Sequence, residues 1–404
     1  MFMIYGVNSE KITSFYKEKE MAQFNRFTSS MPSSGIRKIM VLSQDVEDCI
    51  HLEVGQPDFD TPRHILDAAA KAANEGFTRY TPGAGIPVLR EAIAKKVNEK
   101  NGIAAGPQNI VVSPGAVTSV MSTLMALVEP GDEVLVPDPG WPNYMMQMTC
   151  ISAEGVRYPL IPEKGFQIDF DALERLVTPK TKAMLINTPG NPTGAVFPKE
   201  ALERIVDFVK RHDLFLISDE VYEDILYDGK HVSAGLFNDD GRIAVIFGFS
   251  KTYAVTGLRI GYTVCEESMA QLITKLQEPL VSCACGISQK ACVAALEGPQ
   301  EPVYEMVREY KKRRDAVVEI LREKGRFLYQ PGGAFYILVD ISCTGMNSMD
   351  FTLKLFEDTK VAVAPGETFG ESTSNFVRIC FATDTEKLIE GVNILCDRIN
   401  SYRK

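Results

Sequence analysis

From residue 109 onward, short unbroken apolar runs alternate with segments in which apolar residues recur every three or four positions. Residues 109–113, 133–136, 182–187, 214–218 and 243–248 are the runs. They are too short for stable helices and rich in Val, Ile and Leu, so they are predicted strands. Residues 117–128 and 199–211 carry the helical period between them. A strand that is apolar throughout has no face to give to water. The pattern therefore predicts an α/β core, a mostly parallel sheet covered by helices on both faces. After about residue 286 the order changes. Helices are expected at 288–296, 304–324, 349–358 and 384–401, with strands at 335–340, 361–364 and 376–381, which makes a second, smaller α+β unit. The first thirty residues are polar and aperiodic and read as an arm.

Composition narrows the possibilities. At 404 residues the chain is long enough for about two domains, and 45% hydrophobic with 24% charged residues is ordinary for a globular protein. No uncharged apolar run approaches the roughly 18 residues of a membrane span. A net charge of −10 argues against nucleic acid. The densest basic block, Lys311–Arg314, falls in a helical pattern and reads as a solvated face. Residues 1–31 lack the marks of a secretory or transit peptide, so a cytoplasmic location is expected. The nine cysteines are odd in number, and several lie in apolar runs, as Cys380 does, which suggests buried free thiols. Cys283, Cys285 and Cys292 have neither a paired CxxC nor a nearby His, so no metal site is expected.

In α/β sheets ligands gather beyond the carboxyl ends of the strands. Four unusual segments fall there: Ser113-Pro-Gly-Ala-Val117, Asn187-Thr-Pro-Gly-Asn-Pro-Thr-Gly194, Asp219-Glu-Val-Tyr222 and Gly248-Phe-Ser-Lys251. Singly each has a plain reading: a solvated lysine, a helix cap, a turn. In this order, at one sheet edge, they resemble the class I/II aminotransferases, aspartate aminotransferase-like enzymes of fold type I that depend on pyridoxal 5′-phosphate (PLP). The resemblance runs from about Ser34 to the C terminus. Its strongest element is Ser250-Lys-Thr-Tyr-Ala-Val-Thr-Gly-Leu-Arg-Ile-Gly-Tyr262, matching S-K-x-x-x-x-x-G-x-R-x-G. Val54-Gly-Gln-Pro-Asp-Phe-Asp-Thr-Pro62, Tyr80-Thr-Pro-Gly-Ala-Gly85, Asn191-Pro-Thr-Gly194, Gly332-Gly-Ala-Phe335 and Arg378 support it.

The resemblance implies roles residue by residue. Lys251 would hold PLP covalently and then serve as general acid–base. Asp219 would stabilise the protonated ring nitrogen, Tyr222 and Asn191 would donate to the ring oxygen, and Trp141 would stack on the ring face. Gly115, Ala116 and Val117, opening a helix, would bind the phosphate with Arg259 and Ser250. Tyr80 would reach the same phosphate from the other subunit of a homodimer with shared sites. Arg378 would clamp the substrate α-carboxylate, with Gly55 and Asn191 beside it. Residues 62–286 would form the large PLP-binding domain, and residues 34–61 with 287–404 the small one. The implied reaction is amino-group transfer between an L-amino acid and a 2-oxo acid in a ping-pong cycle, a step in amino-acid metabolism. A PLP-dependent lyase, such as a C–S lyase, is the alternative on the same fold.

Two departures bear on this. Gly248 stands where many relatives carry a phosphate-contacting serine. Val117 brings no charge for a substrate's distal carboxylate, and Arg37 is the alternative partner for one. Asp138-Pro139 and Asn191-Pro192 are expected to be cis. Gly83-Ala-Gly85 follows no core strand and is rejected as a dinucleotide fingerprint.

Overall fold

The computed structural model describes Phe24, Asn25, Ser29, Met31 and residues 35–403. The arm expected over residues 1–33 lies almost wholly outside the described residues.

An eight-stranded sheet forms the centre. Across it the strands run Ile110–Ser113, Gly261–Val264, Ile243–Gly248, Phe215–Asp219, Thr181–Asn187, Glu133–Asp138, Glu154–Ile161 and Gln167–Ile168. From Ile243–Gly248 to Glu154–Ile161 neighbours are parallel, and the flanking pairs are antiparallel. Side chains alternate between two buried layers. In Thr181–Asn187, Met184 and Ile186 face one core while Ala183 and Leu185 face the other. Both faces are apolar because helices cover both, as the unbroken runs require.

Two smaller pairings use the C-terminal half. Tyr336–Asp340, Phe376–Cys380 and Ala364–Pro365 form an antiparallel three-stranded sheet. Ile50–His51 crosses to pair in parallel with Val361–Ala362, so the segment preceding Gly55 is tied to the far end of the chain.

Several elements depart from the sequence reading. The strand expected at 361–364 is two short strands in different sheets. Glu154–Ile161 carries no apolar run, since Glu154, Arg157 and Pro159 interrupt it near the partly exposed edge of the sheet. Gly261–Val264 is only four residues long and opens on glycine, yet it is buried and paired on both sides. The helix Glu267–Val281 contains Pro279 near its end.

The basic block Lys311–Arg314 is only in part a solvated face: Lys312 is exposed and Lys311 partly so. Arg313 and Arg314 are buried on the long helix Glu301–Glu323. Arg313 Nη1 donates to Asp58 Oδ1 and Oδ2 at 3.0 and 2.8 Å and to the Phe381 carbonyl at 3.2 Å. Arg314 donates from Nε to Asp315 and from Nη1 to the Pro331 carbonyl, both at 2.6 Å. The Arg313–Asp58 pair ties this helix to the segment that follows Gly55, and both guanidinium groups meet the need of a buried charge to be neutralised and hydrogen-bonded. All nine cysteines are free thiols; Cys49, Cys265, Cys292, Cys380 and Cys396 are buried, whereas Cys150 and Cys285 are exposed. Among the described residues no helix is long and apolar enough to cross a membrane.

Candidate active site

The parallel strands end at a common edge, and a cavity of about 430 Å³ opens there. Its size is that of a small-molecule site. Asp219 is the last residue of Phe215–Asp219 and sits opposite Asn187, the last of Thr181–Asn187. The strand Ile243–Gly248 runs directly into a one-turn helix, Phe249–Thr252, which delivers Lys251. Asp138-Pro139 and Asn191-Pro192 are cis as expected, and Thr188-Pro189 is a third cis bond.

Lys251 Nζ donates to the Gly55 carbonyl at 2.6 Å. Its pKa is lowered from 10.5 to about 8. Burial is the main cause, the Cys380 thiol opposes it, and the positive fields of Arg378 and Arg259 add to it. Asp219 is 4% exposed and is pushed up to about 6 by burial. Tyr144 Oη at 2.7 Å on Oδ2 and the Val221 N–H at 3.3 Å on Oδ1 hold it lower than burial alone would leave it. Neither partner is a cation. The carboxylate is thus a buried negative charge that a positively charged ligand atom would stabilise.

At the opposite end, the helix Ala116–Leu127 begins at Gly115 with φ of +84°. First-turn N–H groups have no partner inside a helix, and here they open on the cavity at Ala116 and Val117. A Cβ on Gly115 would lie 2.5 Å from Arg259 Nη2, and one on Gly261 only 2.3 Å from the Ala116 nitrogen. The backbone and the guanidinium therefore come close because these positions lack side chains. Arg259 is exposed at the mouth, with Nη1 on the Thr256 carbonyl at 2.9 Å. This cradle suits a phosphate.

Arg378, on the strand Phe376–Cys380, is 1% exposed rather than a solvated strand arginine. Nη1 donates to Asn191 Oδ1 at 3.0 Å, Nη2 to the Glu53 carbonyl, and the guanidinium lies 4.4 Å from the centre of the Tyr336 ring. Its Nε is buried with no hydrogen-bond partner among the described residues, a donor awaiting an acceptor. Asn191 is itself oriented, its N–H on Asn187 Oδ1 at 2.8 Å.

Gly55, Ala116, Val117, Trp141, Asn191, Asp219, Tyr222, Ser250, Lys251, Arg259 and Arg378 all line this one cavity. Gly115 lies just beneath it as the helix cap. Tyr80 does not join them; it is 89% exposed on the surface of its own chain. Gly248 lines the cavity without a hydroxyl, while Ser250 stands close by. Tyr144 and Tyr336 are among the lining residues that escaped the sequence reading, and Asn187, which opens one of the segments singled out, was given no role of its own. Tyr144 had a signal, since it follows Trp141 by three residues, and the two rings meet edge to face at 5.4 Å.

Residues 47–399 match the family described as aminotransferase class I and II. The chain belongs to that family. Aromatic-amino-acid aminotransferase 2 of Thermococcus litoralis is 40% identical over 378 residues, 92% of this chain and 97% of that protein. An aspartate aminotransferase of Pyrococcus abyssi is equally similar over the same shares. Among solved structures, the aspartate aminotransferase of Thermus thermophilus with maleate superposes with a TM-score of 0.89 at 34% identity, covering 94% of this chain and all of that one. The aminotransferase therefore has the fold-type I architecture, and its reaction class is PLP-dependent amino-group transfer. Relatives near 40% identity are named aminotransferases, and nothing favours the lyase alternative.

Proposed function

We propose that this aminotransferase binds PLP through Lys251 and moves an amino group between an L-amino acid and a 2-oxo acid. The observation that carries the reading is the convergence of a buried lysine of lowered pKa, a buried carboxylate, a helix start beside an arginine that suits a phosphate, and a buried guanidinium on one cavity. The residues fit the cofactor: the N–H groups of Ala116 and Val117 with Arg259 would hold its phosphate, Asp219 its ring nitrogen, and Trp141 a ring face. When bound, PLP supplies an electron sink for the bonds at the substrate's α-carbon.

The chain's own groups then have distinct work. Lys251 Nζ, with its proton affinity lowered to about 8, can give up and regain a proton near neutrality, as a general acid–base must. Asp219 keeps a negative charge against a ring nitrogen, and Tyr144 holds that carboxylate in place. Because Arg378 occupies Asn191 Oδ1, the Asn191 amide is left to donate from Nδ2. Arg378 Nε offers the unmet donor for a substrate carboxylate. Ile36, Val54 and Val117 give the described wall an apolar character, which favours an aromatic or aliphatic substrate side chain. The exposed Arg37 does not line the cavity.

The enzyme works in the cytoplasm. It is a homodimer in which Tyr80, exposed on its own chain, completes the partner's phosphate site. It divides into a large unit, residues 62–286, and a small one built from residues 34–61 and 287–404. The helix Gly286–Glu297 packs on Arg63–Asn74 and Pro87–Asn101, which favours a boundary after that helix instead.

The test is a half-reaction. Mixing the PLP-loaded enzyme with single amino acids, without a 2-oxo acid, should shift the whole chromophore to shorter wavelength. A chromophore that persists while ammonia is released would contradict amino transfer and restore the lyase.

A further inference from the structure

Tyr336 opens the strand Tyr336–Asp340 and is 1% exposed, yet its side chain reaches the cavity. Its hydroxyl lies 2.9 Å from the Tyr222 hydroxyl, and both rings are buried. The two rings meet edge to face at 5.8 Å, and Phe335 closes Tyr222 from another side at 5.4 Å and 90°. A Cβ on Gly55 would fall 2.2 Å from the Tyr336 hydroxyl, so that oxygen fills the space a side chain would take. The face of the same ring supports the Arg378 guanidinium at 4.4 Å. One side chain thus touches both the phenol assigned to the cofactor's ring oxygen and the arginine assigned to the substrate.

A hydroxyl has one hydrogen. If Tyr222 gives its hydrogen to Tyr336, none remains for a ligand in the cavity. If Tyr336 is the donor, the Tyr222 hydrogen is free, and a hydroxyl that accepts one hydrogen bond donates a stronger second one. Resting on the PLP reading above, we propose that Tyr336 is a positioning residue. It donates to Tyr222, and so aims and strengthens the Tyr222 donor toward the cofactor's ring oxygen, while its ring fixes the plane of Arg378.

The two functions separate by substitution. Tyr336→Phe keeps the ring beneath Arg378 and removes only the hydroxyl. In the PLP-loaded protein without substrate, the pH at which the bound chromophore titrates should rise by up to roughly one unit, because a weakened donor leaves the ring oxygen less stabilised as an anion. The KM for amino acid should be unchanged. The shift should vanish in a Tyr222→Phe background, since the hydroxyl acts through that phenol. Tyr336→3-fluorotyrosine keeps the native shape with a more acidic hydroxyl, and it should move the titration downward; it also tests the idea if Tyr336→Phe does not fold. Tyr336→Leu, which removes the ring, should raise KM severalfold. An unchanged titration in both Tyr336→Phe and the fluorinated protein, or an equal shift with and without Tyr222, overturns the proposal. Failure of the wild-type protein to take up PLP would instead overturn the cofactor reading on which it rests.

Discussion

At the residue scale, the functional burden falls on side chains whose surroundings displace their proton equilibria. Lys251 titrates near 8, below an ordinary lysine, because burial and two nearby guanidinium groups disfavour its charge. The fraction of neutral amine should therefore climb about tenfold per pH unit up to about 8 and then level. The rate at which the cofactor-free protein captures PLP should follow that curve; a rate still climbing past pH 10 would assign capture to an ordinary lysine. The sign for stability follows from the same shift. Between about 8 and 10.5 the unfolded chain binds more protons than the folded one, so the cost of the buried ammonium is complete below 8 and relieved as pH rises through that window. Asp219→Asn keeps the shape and removes the charge proposed to face the cofactor's ring nitrogen. Turnover should fall by about 10²- to 10³-fold while PLP is still bound, measured as kcat with the chromophore as control. The sequence disclosed Lys251, Asp219 and Arg378 because chemistry restricts those positions to few residue types. It did not disclose Tyr336, and it placed Asn187 at the sheet edge without assigning it a role. Their roles depend on which strand ends the fold brings together, and a Tyr in an apolar run resembles any core residue.

At the element scale, the site is a product of strand ends and one helix start. The central strands were legible because a sheet covered on both faces needs unbroken apolar runs, as in Thr181–Asn187 and Ile243–Gly248. Gly261–Val264 and Glu154–Ile161 were not, since the first is short and the second is partly exposed near an edge and broken by polar residues. Gly261 is where that hidden strand meets the helix start proposed to hold the phosphate. Its added Cβ would meet backbone, the Ala116 nitrogen at 2.3 Å, rather than a side chain able to swing aside. Gly261→Ala should destabilise the protein by about 1–3 kcal/mol and lower its melting temperature by several degrees, read by circular dichroism. An unchanged melting temperature would mean that the close approach is slack.

For the whole molecule, the open question is what covers Tyr80. Tyr80 is 89% exposed on its own chain, and the proposed homodimer would cover it. Sedimentation should give twice the chain mass, and Tyr80→Phe should weaken PLP affinity by about tenfold without altering the fold. A monomer of full activity would remove the shared site. The long helix Glu301–Glu323 carries the clearest reversal of the sequence reading. Its basic block looked solvated because charge predicts exposure, whereas Arg313 is satisfied by Asp58 and the Phe381 carbonyl, both distant in sequence, and Arg314 by its neighbour Asp315 and the Pro331 carbonyl. Only the assembled fold brings Asp58 and Phe381 to Arg313.

The most direct test of the central claim is to add PLP to the purified protein, reduce with borohydride, digest, and locate the pyridoxyl adduct by mass spectrometry. The expected result is one adduct per chain on the peptide containing Lys251, and none there in Lys251→Ala. An adduct spread over surface lysines, with Lys251 unmodified, would contradict the claim.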